Sequence, residues 1–206
     1  MLLRSILATI ALALASFAVT AAVEPPPEGV AYTIDDVHSS ALFRVQHLGA
    51  GRFWGRFNDL SGTVTFDRGV EIRMDVAIRT ESVDSGNKDL DKHLLSPDFF
   101  NAKEPSCASM TFKSTGCSMG DKGIYMVTGD LTIHGVTKQV TVPVEFTGAA
   151  DMGRGSRAGF ETTFTIKRSE FGMNWGVEKG MLGDEVRITV AIEGVEAKAD
   201  GAGEKK

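Results

Sequence analysis

The sequence predicts an all-β protein whose strands form a single extended antiparallel barrel, and three observations carry that expectation. Apolar and polar residues alternate with a period of two in about eight separate stretches, the pattern of strands buried on one face. Successive stretches are joined by short turns such as His134-Gly135-Val136-Thr137, which favours antiparallel neighbours. Several of the apolar faces combine phenylalanine with slender residues, and a closed sheet leaves no edge to protect. A two-layer sandwich also satisfies the alternation.

The elements follow in chain order. Residues 1–22 begin with Arg4, continue with an apolar run from Ile6 to Val19 broken only by Thr9 and Ser16, and end on Thr20, Ala21 and Ala22. This is the pattern of a secretory signal peptide cleaved after Ala22, and the run is short of the roughly 20 apolar residues that a membrane span needs. Residues 23–30 carry Pro25, Pro26 and Pro27 and read as an extended leader without packing of its own. Residues 31–196 hold the strands. Residues 197–206 are small and charged and read as a disordered tail.

Within the strand region, Ala41, Phe43, Val45 and His47 share one face of a stretch from Ser39 to Leu48. Val64 and Phe66 alternate next, then Ile72, Met74, Val76 and Ile78, then Ala108, Met110 and Phe112. Val127, Gly129, Leu131 and Ile133 follow, then Val140 to Phe146, Ala158 to Ile166 and Val186 to Ile192. One segment, Ser85 to Lys103, breaks the period. Leu90 and Leu94 lie four residues apart, Asn87 can cap a short helix, and Ser96-Pro97 can start a further turn. It reads as a helical lid or as a plug for one end of the barrel.

Composition narrows the function. Without Arg4, 21 basic residues stand against 27 acidic ones. The balance argues against a basic stripe for nucleic acid or anionic lipid headgroups, so no nucleic-acid partner is expected. No later apolar run is long enough to span a membrane, so the exported product is expected to be soluble. Cys107 and Cys117 flank a strand. Ten extended residues cover roughly 30 Å, far beyond disulfide reach, so two free thiols are expected. His38, His47, His93 and His134 have no zinc-motif spacing, and no Gly-x-Ser-x-Gly or dinucleotide fingerprint is present. Neither a metal, a cofactor nor a catalytic site is expected from these residues. What remains is the barrel interior, which in a barrel of this size is either filled by its own side chains or holds one small ligand.

A set of ordered motifs adds to this. His38-Ser-Ser-Ala-Leu-Phe-Arg-Val-Gln-His-Leu-Gly49, Ser82-Val-Asp-Ser-Gly-Asn87 and Ser96-Pro-Asp-Phe-Phe100 are three of them. Thr128-Gly-Asp-Leu-Thr-Ile-His-Gly-Val-Thr-Lys138 and Arg168-Ser-Glu-Phe-Gly-Met-Asn-Trp-Gly176 are two more. Over about residues 30 to 195 the chain resembles the YceI-like family of bacterial periplasmic proteins. The resemblance implies a lipocalin-like barrel with a long apolar channel for polyisoprenoids, isoprenoid quinones or fatty-acid derivatives. It implies a carrier or sequestering role in the periplasm and often a homodimer, without a firmly established enzymatic activity. On that reading Phe43, Val45, Phe66, Val76, Phe112, Leu131, Phe164 and Val190 are the candidates for the chain of the ligand. His47, His93 and Asn174 are candidates for its polar end, and Phe99 and Trp175 for the mouth. Two other readings stay open: a quinone-linked redox helper or enzyme using the same channel, and a self-filled structural or stress-response barrel.

Overall fold

The computed structural model describes residues 29–151, 153 and 155–197, so the expected signal peptide, most of the leader and nearly all of the tail lie outside the described residues. The strands are β1 (Val30–Ile34), β2 (Ser40–His47), β3 (Gly51–Phe57), β4 (Leu60–Asp67), β5 (Glu71–Arg79) and the two-residue β6 (Val83–Asp84). They continue with β7 (Ser109–Met119), β8 (Ile124–Ile133), β9 (Val136–Asp151), β10 (Ser156–Lys167) and β11 (Leu182–Glu196), with one α-helix, α1 (Lys88–Leu94).

All pairings are antiparallel, and they close. β1 and β2 both pair with β11, with a kink over residues 35–39, and act as one long bent strand. β3 and β4 are likewise two halves of the next strand, pairing with β2 and β1 respectively. Taken so, the barrel has eight strands, each hydrogen-bonded to its neighbour in sequence, and β11 closes it against the first. Short β6 adds to the free edge of β3.

Alternation sets the faces as expected from sequence. Ile72, Met74 and Val76 are buried while Arg73 and Asp75 face outward. Two strands lie where the sequence pattern showed none. β1 takes in Val30, assigned above to the leader, and β3 hides its alternation of Phe53, Gly55 and Phe57 among Arg52, Trp54 and Arg56. Gly62, in β4, has φ 130°, and a Cβ there would collide with the Asp75 carbonyl oxygen, so only glycine fits this bend.

The turns divide between two ends. The lower end carries the connections after β4, β7 and β9, together with the start of β1 and the close of β11. Tyr32, Phe66, Tyr125, Phe146 and Phe160 fill it, with ring centroids 4.6 to 6.4 Å apart. The Tyr125 hydroxyl also accepts from the Gly69 amide of the turn below, at 2.9 Å. Val64, Val127 and Val144 are sealed behind these rings. The upper end carries the β2–β3 and β8–β9 hairpin tips and two long connections, residues 80–108 and 168–181.

Candidate functional site: an apolar cavity and its mouth

Above the aromatic plug the barrel is hollow. A cavity of about 450 Å³ runs from Val144, Thr162 and Ile192 up to the two long connections. That size is within the range of small-molecule sites. Its walls are inward residues of β2, β3, β5 and β7 to β11, nearly all of them apolar. Phe112, Phe164, Val186, Ile188 and Val190 point inward and yet stay only half-buried, because nothing opposes them across the lumen. Two glycines keep the space open. A Cβ on Gly55 would overlap the Phe43 ring, and one on Gly129 would lie 2.6 Å from the Phe112 Cζ. Each ring therefore lies back against the sheet.

Residues 80–108 roof the cavity. The Asn87 side chain caps α1 by accepting from the amides of Asp89 and Leu90, as its sequence position suggests. The Asp91 carboxylate accepts from the Ser85 amide and hydroxyl, at 2.7 and 2.6 Å, and fastens the helix to the chain before it. Leu90 and Leu94 then face the cavity, as do Phe99 and Phe100 from the following turn. Phe100 packs edge-on against Phe43 and Phe57, tying the roof to β2 and β3.

The second connection is organised by Arg168. It is 3% exposed, lines the cavity and ends the inward series Phe160, Thr162, Phe164, Ile166. Its guanidinium donates to four backbone carbonyls: Gly183 and Met173 at 2.8 Å, Trp175 at 2.8 Å and Leu182 at 3.1 Å. Burial pushes its pKa below the usual arginine value, while the Asp184 carboxylate acts the other way. Asp184 also accepts from the Ser169 amide and hydroxyl. Together these bonds hold Trp175, 37% exposed, at the boundary between the cavity and a shallow outer depression. There the Trp175 ring meets His93 and Phe99, with centroids 5.3 and 5.2 Å away. The His93 Nε2 lies 3.0 Å from the Asp98 carboxylate.

Of the residues singled out from sequence, Phe43, Val45, Val76, Phe112, Leu131, Phe164 and Val190 line the cavity, and His47, His93, Phe99 and Trp175 lie at its upper end. Two are elsewhere. Phe66 belongs to the plug, because its position on β4 lies below the cavity floor. Asn174 sits outside, in the depression, with its amide turned toward the Gly172 carbonyl. Sequence reasoning missed Arg168, Phe53 and Phe57, and it read the segment with Leu90, Leu94 and Phe100 as a lid or plug without naming those three as ligand contacts. The signal for Arg168 was present: like His47, it continues an apolar face by strand parity.

The two thiols and His38 lie apart from the cavity. Cys107 and Cys117 are free, and burial raises the Cys117 thiol pKa. Among the described residues Asp35, His38 and Glu193 form a cluster of metal-ligand type, but Arg157 donates to both carboxylates and supplies the positive charge.

The expectation of no basic stripe needs correction. Cross-strand pairing brings Arg44, Arg52, Arg56 and Arg187 together on the outer face of β2, β3 and β11. A net charge constrains the sum of the charges and not their placement.

Comparison with known proteins agrees with this architecture. Residues 32–194 match the family model described as the YceI-like domain. The chain is 41% identical over 165 residues to Protein YceI of Escherichia coli, covering 78% of this chain and 83% of that one. It is 39% identical over 162 residues to a UPF0312 protein of Pseudomonas aeruginosa, covering 77% and 82%. Among solved structures, BcnA of Burkholderia cenocepacia superposes with a TM-score of 0.68 at 28% identity, over 78% of this chain and 98% of that one. The Campylobacter jejuni YceI protein gives 0.67 at 31%, over 74% and 90%. A polyisoprenoid binding domain from Saccharophagus degradans gives 0.63 at 16% identity, over 82% and 99%, a likeness of fold. The sequence match and the shared barrel lead to one conclusion: this chain belongs to the YceI-like family.

Proposed function

We propose that this protein is a periplasmic carrier that holds one long-chain amphiphile, a polyisoprenoid, isoprenoid quinone or fatty-acid derivative, in the upper part of its barrel. The observation that carries this reading is the apolar void between the aromatic plug and the roof. Burial of a hydrocarbon chain gains about 0.8 kcal/mol per methylene before ordering costs, so some ten methylenes suffice for firm binding with few polar contacts. The cavity's charged and imidazole groups, His47, His93 and Arg168, all lie at its upper end. The chain of the ligand therefore points down toward Thr162 and its polar end stays at the mouth. The polyisoprenoid binding domain of Saccharophagus degradans, built on the same barrel, supports the class of ligand. The hollow interior counts against a self-filled barrel.

Native mass spectrometry and organic extraction of the protein recovered after export test this. A co-purifying amphiphile, or stoichiometric uptake of an added fatty acid or prenyl alcohol, is the expected result. A clean unliganded mass with no uptake of either probe would overturn the reading. Phe164→Asp places a carboxylate in the wall and is expected to abolish uptake while the variant keeps its strand circular dichroism.

A further inference from the structure

We propose that the outer face of β2, β3 and β11 beside the mouth is a docking surface for an anionic phospholipid bilayer. The proposal rests on the lipid-carrier reading for its purpose, and on a separate set of residues for its geometry. Arg44 of β2 lies directly opposite Trp54 of β3 on one side and Arg187 of β11 on the other, and Arg52 lies opposite Gln46 one step nearer the mouth. The Arg44 guanidinium sits over the Trp54 ring, 5.5 Å from its centroid. Arg56, lower on β3, faces Asp84, and Glu185 on β11 faces Lys167. Arg44, Arg52 and Arg187 have no ion-pair partner among the described residues. Like charges placed opposite one another on neighbouring strands oppose pairing. Arg52 and Arg187 both push the Arg44 pKa down, after desolvation. Three arginines are thus held together without an ion pair among the described residues, the nearest carboxylate along β11 being Glu185, in a chain that is acidic overall.

The same rim exposes apolar side chains. Leu48, at the β2–β3 tip, is 59% exposed and Trp54 is 48% exposed. Leu48 holds φ 51°, a conformation that favours glycine or asparagine, so an exposed leucine there is costly to the turn. Its amide donates to the Met181 carbonyl at 2.9 Å, which sets exposed Met181 beside it. Arginine with tryptophan and leucine at one edge fits a headgroup layer above hydrocarbon. That edge adjoins His47 and Leu182, which line the cavity. A docked barrel would present its mouth to the membrane from which a poorly water-soluble chain must come.

Flotation with vesicles of phosphatidylcholine alone, and of phosphatidylcholine with phosphatidylglycerol, tests the proposal on the protein recovered after export. Binding is expected only to the anionic vesicles and is expected to weaken as salt rises. Each basic residue near an anionic surface contributes about fivefold in affinity, so Arg52→Gln combined with Arg187→Gln should weaken binding roughly thirtyfold. Leu48→Asn, which suits the turn, should weaken it as well and leave the fold intact. Equal binding to both vesicle types, or variants that bind like the wild type, would overturn the proposal. Binding to soluble polyglutamate as tight as to anionic vesicles would also overturn it and assign the face to an acidic protein. Uptake of a soluble fluorescent fatty acid keeps the two readings apart. Uptake without vesicle binding defeats docking alone, whereas vesicle binding without uptake defeats the carrier reading and leaves the docking face standing.

Discussion

At the lower end of the barrel five aromatic rings meet across the lumen, while at the upper end the rings lie back against the wall. Both ends are made of the same strands with the same alternation. Phe66 reaches across from β4 to Phe146 and Phe160 on β9 and β10, and the valines around them are shut off from solvent. Phe43 and Phe112, a few residues higher, rest over Gly55 and Gly129 and leave the centre empty. Whether an inward side chain becomes core or cavity wall depends on what opposes it across the barrel and on what lies beneath its ring. The lumen is filled by rings at one end and is open at the other.

This division predicts separable effects for changes at the two ends. Phe160→Ala, in the plug, should cost about 3–5 kcal/mol in urea unfolding and leave ligand uptake by the folded fraction unchanged. Arg168→Met, at the mouth, strands four carbonyls and should cost about 3 kcal/mol. It should also release Trp175, seen as a red shift of its fluorescence in a Trp54→Phe background. Gly55→Ala should cost about 1–3 kcal/mol and reduce uptake as well, because the Phe43 ring has to swing into the lumen. An unchanged affinity in this variant would show that the upper void is not where the chain sits.

The smallest effect concerns the kink between β1 and β2. Hydrogen bonds from Arg157 and then His38 hold the Asp35 carboxyl down to about 2. Because the folded value lies below the unfolded one, Asp35 contributes stability above about pH 4 that is lost as the pH falls toward about 2. Asp35→Asn should flatten that part of the melting-temperature profile without altering either end of the barrel.

Much of this was legible in the sequence, and the gaps have physical causes. Strand parity put Phe43, Phe112 and Phe164 on the inside because a period of two leaves no alternative. Parity does not report height, so Phe66 and Phe112 looked equivalent although one plugs and the other lines. β3 was missed because Gly51 and Gly55 interrupt its apolar face, and Gly55 is small for the sake of a ring on another strand. Asn174 could not be placed, since the loop that carries it takes its shape from Arg168 and not from its own residues. The arginine face was invisible for a similar reason: residues 44, 52 and 187 meet only when the first and last strands do.

That meeting has a consequence for the order in which the molecule can form. The hairpins from β7 to β10 join near neighbours and can assemble as they are made. The seam cannot. Ser39 and Glu193, 154 residues apart, bond to each other only after β11 exists. Until then the sheet has two open edges, along β1–β2 and along β10, and open edges recruit other chains. Pairing over such a distance is also slow. The last fifteen residues of the barrel therefore act as its fastener. A chain truncated before Leu182 keeps the pairings from β1 to β10 and loses closure, leaving an adhesive sheet where the complete barrel makes a vessel.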